Sequence, residues 1–171
     1  NPTHIAENVL NREFRKEYPA MGVLLTDVTE FKYGKDSKAY LSAILDYGKN
    51  KIVAFKLSKR NNNALVRETV RQIEDDIIPT QTLLHSDRGF QYTSHGFKNF
   101  VKKHQITQSM SRVGKCIDNG PMENFWGIIK EEMYRLKTYQ SFEELERDIK
   151  QYIRFYNNQR VTLKMGLSIP A

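Results

Sequence analysis

The run Met21–Val28 is apolar and β-branched and predicts a strand, yet it carries a carboxylate. Asp27 comes directly after Val23, Leu24, Leu25 and Thr26. Apolar strands are buried, and an ionised group is costly to bury unless it is paired or binds a metal. A fold that accepts this chain must therefore bring a partner to Asp27. Two other acids stand in related settings. Asp87 lies just past a short apolar segment, Thr82–His85, that predicts another strand, and just before Gly89. Glu123 sits in the first turn of an amphipathic helix that opens at Pro121, and 35 residues (88–122) separate it from Asp87.

If the strands carrying Asp27 and Asp87 are neighbours, the two acids face each other. Close carboxylates repel, and a divalent cation relieves that repulsion. A few hard oxygen ligands suit Mg²⁺ or Mn²⁺, with waters and phosphate oxygens completing the shell. Two such ions about 4 Å apart could activate a nucleophile and stabilise the leaving oxygen of a phosphoryl transfer. Each acid also has a plain structural alternative. Asp27 could make a turn hydrogen bond at a strand end, Asp87 could be an ordinary turn residue, and Glu123 could complement the helix dipole. Asp46, at the end of a strand, and Asp118, before the helix, compete as ligands.

The hydrophobic pattern changes period along the chain. Strands are predicted at Met21–Val28, Lys38–Tyr47 and Lys51–Leu57, joined by turns at 33–36 and 48–50, which argues for an antiparallel meander. Val66, Val70, Ile73 and Ile77 then mark one face of a helix capped by the Asn61–Asn63 run and ended by Pro79. Strands at Thr82–His85 and Ile106–Met110 alternate with a helix opened by Thr93 or Ser94 and bearing Phe97, Phe100 and Val101. A helix from Pro121 to about Leu136 comes next. A last one opens with Ser141 and Glu144 as a capping box, with Phe142, Leu145, Ile149, Ile153 and Tyr156 on one face. The order β-β-β-α-β-α-β-α-α predicts an α/β fold: a mixed five-stranded sheet, three strands antiparallel and two parallel, with helices on both faces.

A chain of 171 residues that is 39% hydrophobic and 27% charged fits one globular domain. It has no apolar run near the roughly 20 residues that cross a bilayer, so no membrane partner is expected. The single cysteine, Cys116, allows no internal disulfide and fits a reducing, cytoplasmic setting. The net charge of +7 favours a polyanionic partner, most simply nucleic acid. Lys130 shares a helix face with Glu123 and Gly127 and could grip a phosphate near the acids. Arg88, Lys102, Lys103, Arg112 and Lys115 are further candidate phosphate contacts, with a solvated surface as the alternative for each. Phe125 and Trp126 read as core residues, and His85 as a packing or hydrogen-bonding group.

Five segments together resemble one family: LLTDVTEF, YLSAILDYGKNKIVAF, HSDRGFQYTS, SMSRVGKCIDNGPMENFWGIIKEEMY, and YIRFYNNQR with GLSIP. The chain is similar to the catalytic domain of DDE transposases of the bacterial insertion-sequence three family, within the retroviral-integrase-like superfamily. The likeness runs from Asn11 to Pro170. It implies a ribonuclease H-like fold, residues 21–171 as the catalytic core, and 1–20 as a linker from a missing N-terminal DNA-binding region. It implies that Asp27, Asp87 and Glu123 are catalytic and hold two Mg²⁺ or Mn²⁺ ions, and that Lys130 contacts the DNA end. The implied reaction is nicking of a DNA 3′ end and strand transfer by the freed hydroxyl, in a homo-oligomer on DNA, with no small-molecule substrate. A nuclease that does not join, or an inactive DNA-binding or assembly module of a decayed element, are the alternatives. The sequence departs from the family's habit at Leu24, where Trp is common, at Gly120 in the DNG motif, and at Val161 and Thr162 after Arg160.

Overall fold

The computed structural model describes residues 18–110 and 119–160. Residues 1–17 of the expected 1–20 linker, the candidates Arg112 and Lys115, and Cys116 and Asp118 lie outside the described residues. The meander forms as predicted, from β1 (Val23–Tyr33), β2 (Ser37–Asp46) and β3 (Lys51–Ser58). Its two turns use left-handed backbone at Gly34 (φ 60°) and Asn50 (φ 52°), residue types that adopt this conformation at least cost. β1 continues five residues past Val28. Thr29, Glu30 and Lys32 hide the extension in the sequence, but Phe31 is 1% exposed and pairs with Ala39 of β2.

β4 (Leu83–Ser86) lies parallel to β1, and β5 (Thr107–Met110) lies parallel to β4. The sheet order is β3-β2-β1-β4-β5, so β1 sits at the centre, where the antiparallel and parallel halves meet. Alternation along β1 divides its side chains between two apolar layers. Val23, Leu25 and Phe31 pack on one face with α4 (Gly120–Glu132) and α5 (Phe142–Phe155). Leu24 packs on the other with α1 (Asn63–Arg71) and α3 (His95–Lys103), through Val66, Val70, Phe97 and Val101. Burying each such side chain contributes about 1.5–3 kcal/mol.

Helix ends obey local capping. Asn62 Oδ1 accepts from the Leu65 amide at 3.1 Å, and Ser94 Oγ from Phe97 at 3.3 Å. Ser141 Oγ accepts from Glu144 at 3.1 Å, while the Glu144 carboxylate accepts from Gln140 N–H and not from Ser141. α1 stops at Arg71, before the predicted end at Pro79, and one 3₁₀ turn (Glu74–Asp76) carries the chain onward. The acidic run there has no apolar row to bury. A four-residue helix, α2 (Phe90–Thr93), comes in addition to the predicted elements; it is too short to show a period.

At the outer edge of the sheet, two carboxamides occupy the open backbone of β3. Asn157 accepts from Ile52 N–H at 2.8 Å and donates to the Ile52 carbonyl at 2.9 Å. Gln72 does the same at Phe55, at 3.3 and 2.8 Å.

Asp46, a competing ligand in the sequence, proves structural. It is 2% exposed and accepts from the amides of Met21 (2.9 Å) and Lys49 (3.3 Å), fixing the entry to β1. Replacing it by Ala leaves two amides without their acceptor. The expected loss is about 1–3 kcal/mol of unfolding free energy, read as a lower urea midpoint; an unchanged midpoint would contradict this role.

Candidate active site

The parallel register pairs Leu25 of β1 with His85 of β4. Continued two residues, it brings Asp27 beside Asp87, just past the end of β4. The two carboxyls are close enough to act on each other. Asp27 is pushed up to about 6, first by burial and further by the charge of Asp87 and a hydrogen bond to it. The Trp126 indole and the backbone at Val28 donate to Asp27 and pull in the opposite direction without overcoming burial.

Asp87 is exposed, and the residue two positions on holds it in place. The Gly89 amide donates to Asp87 Oδ1 at 2.7 Å. A Cβ at position 89 would stand 2.9 Å from that same oxygen and 2.9 Å from Gln91 Oε1, closer than side chains tolerate. A side chain here would therefore displace the Asp87 carboxylate or the Gln91 carboxamide, although the backbone itself, with φ −58°, would accept one.

α4 is matched to β1 residue by residue. Trp126 Nε1 donates to Asp27 Oδ2 at 3.1 Å. One turn on, Lys130 Nζ donates to Thr29 Oγ1 at 2.7 Å. At the next turn the Tyr134 ring meets Phe31 edge-on at 5.0 Å, and its hydroxyl accepts from Lys32 N–H and donates to the Lys32 carbonyl. Four helical residues advance about 6.0 Å and two strand residues about 6.6 Å, so helix and strand stay in step from Trp126 to Lys130, and the 3₁₀ turn after α4 (Tyr134–Leu136) adds the third contact. At the start of α4, Asn119 is 4% exposed and its Nδ2 donates to the Thr26 carbonyl at 3.4 Å. These contacts set where Glu123 stands: exposed, in the first turn, one turn before Trp126.

Of the residues singled out in the sequence, the fold therefore joins Asp27 to Asp87 and puts Lys130 on the same strand face two residues away. Lys130 is half-buried; its ammonium lies 5.4 Å from the Phe31 ring centroid, and burial holds its pKa below the usual lysine value. Arg88 is exposed next to Asp87. Among the described residues, no three His, Cys, Asp or Glu side chains form a group that could hold a metal ion. His85 is fully buried, with Nδ1 2.7 Å from Ser109 Oγ, a strand-to-strand contact. Gly127 faces open space.

Three residues near the acids have no site role in the sequence reading. Trp126 reads as core, although its position three after Glu123 and four before Lys130 puts it on the same helix face. Asn119 is legible only once β1 lies beneath it. Tyr92 is 1% exposed, and burial raises its hydroxyl well above the usual value, with the charges of Asp27 and Asp87 adding to the effect.

A mixed five-stranded sheet with two adjoining carboxylates at its centre is the frame of an integrase-type catalytic core. Residues 18–116 match a family model described as "Integrase core domain", and residues 123–170 match a second of the same description. An "Uncharacterized transposase-like protein" of Haemophilus influenzae is 40% identical over 166 residues, covering 96% of this chain and 76% of that protein. The "Putative transposase InsK for insertion sequence element IS150" of Escherichia coli is 37% identical over 161 residues, covering 94% of this chain but 56% of that protein. Fold likeness extends to the Mos1 mariner transposase catalytic domain (TM-score 0.66, 12% identity, 95% of this chain and 86% of that one). It extends also to the HTLV-2 integrase catalytic core domain solved with magnesium (TM-score 0.62, 18% identity, 84% and 91%). The chain belongs to the integrase core domain family. Its class is the DDE-type polynucleotidyl transferases, and its sheet is the ribonuclease H-like sheet of transposase catalytic cores.

Because Asp27 is pushed up to about 6, the cation-free fold favours its protonated form. That contribution to stability is fully present below the unfolded value near 4 and is lost as pH rises through about 6. Without divalent cation, Asp27→Asn is expected to exceed wild type in stability at pH 7.5 by on the order of 1–3 kcal/mol, the two converging near pH 4. Urea melts across that range check it; parallel curves at all pH values would show that Asp27 carries no such burden.

Proposed function

We propose that this chain is the catalytic core of a transposase that nicks a DNA 3′ end and transfers the freed strand to a second phosphodiester. The observation that carries the reading is the contact between Asp27 on β1 and Asp87 just past the end of the parallel β4, with Asp27 bonded by uncharged donors at Trp126 and Val28. A carboxylate pair of this kind is matched by a divalent cation and not by a side-chain cation. Asp27, Asp87 and Glu123 would hold two Mg²⁺ or Mn²⁺ ions, Glu123 joining from the first turn of α4. When bound, the ions would activate water or the 3′-hydroxyl and stabilise the leaving oxygen.

The chain's own residues do the rest. Asp27 and Asp87 hold fixed positions, the first through Trp126 and the second through Gly89. Lys130, on the face that carries Asp27, binds a phosphate of the DNA end after release from Thr29. Arg88, Arg112 and Lys115 contact the backbone of the same DNA, and copies of the chain assemble on paired ends. No helix among the described residues is long and apolar enough to cross a membrane. The proposed place of action is the bacterial cytoplasm, at the chromosome. The proposed role of the segment before residue 21 is a linker to a DNA-reading region.

With Mn²⁺, the full-length protein and a duplex bearing the element's own end, wild type is expected to give joined product. Asp87→Asn and Glu123→Gln should each lose about 10²-fold or more, the scale on which removal of one charge-stabilising group acts. Nicking without joining would instead define a nuclease, and equal activity in the variants would remove these acids from the site. Lys130→Ala should weaken binding to the DNA end and flatten its salt dependence by about one charge, with nicking retained at saturating DNA.

A further inference from the structure

The indole of Trp126 is placed to do more than fill the core. Its Nε1–H donates to Asp27 Oδ2 at 3.1 Å, while the ring is 7% exposed and tilted against Phe125 at 5.5 Å between centroids. The ring cannot swing away without leaving the packed layer between α4 and the sheet. The hydrogen bond therefore has a rigid donor at one end and a central strand at the other. An indole N–H is a donor only. It carries no charge to neutralise the carboxylate and no lone pair to compete for a cation. A Lys or Arg in its place would hold Asp27 as firmly but would occupy it electrostatically.

We infer that Trp126 is a positioning residue for the metal site: its N–H engages Asp27 Oδ2 and so fixes the orientation in which the Asp27 carboxylate would face a divalent cation. This rests on the proposed metal-dependent reaction. Carboxylates that bind metals are held by hydrogen bonds of this type, and loss of such a bond lowers metal affinity or activity by about 10- to 100-fold. The contact also joins the metal site to α4 itself, one turn from Glu123. The helix that supplies the third acid thus aims the first.

Trp126 is the chain's single tryptophan, which gives a readout independent of catalysis. Mn²⁺ and, separately, Mg²⁺ are titrated into this 171-residue chain while indole emission is recorded. Wild type should show a saturable change that is absent in Asp27→Asn. No change in wild type with either ion would overturn the assignment. Trp126→Phe, which keeps an aromatic ring and removes the N–H, should need about tenfold more Mn²⁺ for half-maximal nicking, with its KM for DNA unchanged. Phe125→Leu disturbs the same packed layer without touching Asp27 and should leave the Mn²⁺ midpoint where it is. A Trp126→Phe midpoint equal to wild type, or an equal shift in Phe125→Leu, would make Trp126 a core residue only. Were wild type itself to show no Mn²⁺-dependent nicking while its indole still reported a saturable cation, the reaction proposed above would fail and the metal-site role of Trp126 would stand.

Discussion

Burial of one carboxylate in the middle of a sheet organises this molecule. Asp27 is held in place because β1 is the central strand and both neighbours are paired to it. Its environment raises its pKa to about 6, so the cation-free fold is under electrostatic tension at neutral pH. Asp87 makes this worse and not better. Two elements nonetheless hold the pair together: the parallel β1–β4 register and the helix α4 laid along β1. The first fixes the spacing of the acids, and the second fixes the orientation of Asp27. Both are made by backbone pairing and side-chain packing.

The strand–helix match explains why a reading by periodicity finds the acids but not their support. Asp27 and Asp87 stand out because acids at the ends of apolar runs are anomalous, and Glu123 because it opens an amphipathic helix with 35 residues between it and Asp87. The meander is legible through its turns, since Gly34 and Asn50 are the residues that accept left-handed backbone. The second half of β1 is not, because Thr29, Glu30 and Lys32 look like loop until Phe31 is seen to be buried. Pro79 marks an end for α1 that the acidic 3₁₀ turn at Glu74–Asp76 has already imposed. Trp126 looks like core because it is core, and its polar atom acquires a meaning only when β1 is known to lie under it. Asp46 looks like a ligand because a buried acid at a strand end fits two descriptions, and only the amides of Met21 and Lys49 decide between them.

Similarity to integrase and transposase cores fits this division. What is shared at 18% and 12% identity is the fold. What is particular to this chain is finer: an exposed Asp87 held by the Gly89 amide, a lysine docked on a threonine, an uncharged indole against the central acid. In the proposed reaction these details would govern how tightly an ion and a DNA end are held.

The two carboxamides on β3 bear on how copies of the chain can meet. A sheet edge left open invites a neighbour to add a strand, which turns assembly into fibre growth. Here Asn157 and Gln72 each satisfy both the N–H and the carbonyl of one edge residue, as a neighbouring strand would. An incoming strand on this side would have to break four hydrogen bonds before making any. Assemblies built through this border of the molecule are therefore steered toward docking of helix faces and side chains, which closes into finite complexes, and away from backbone pairing, which does not.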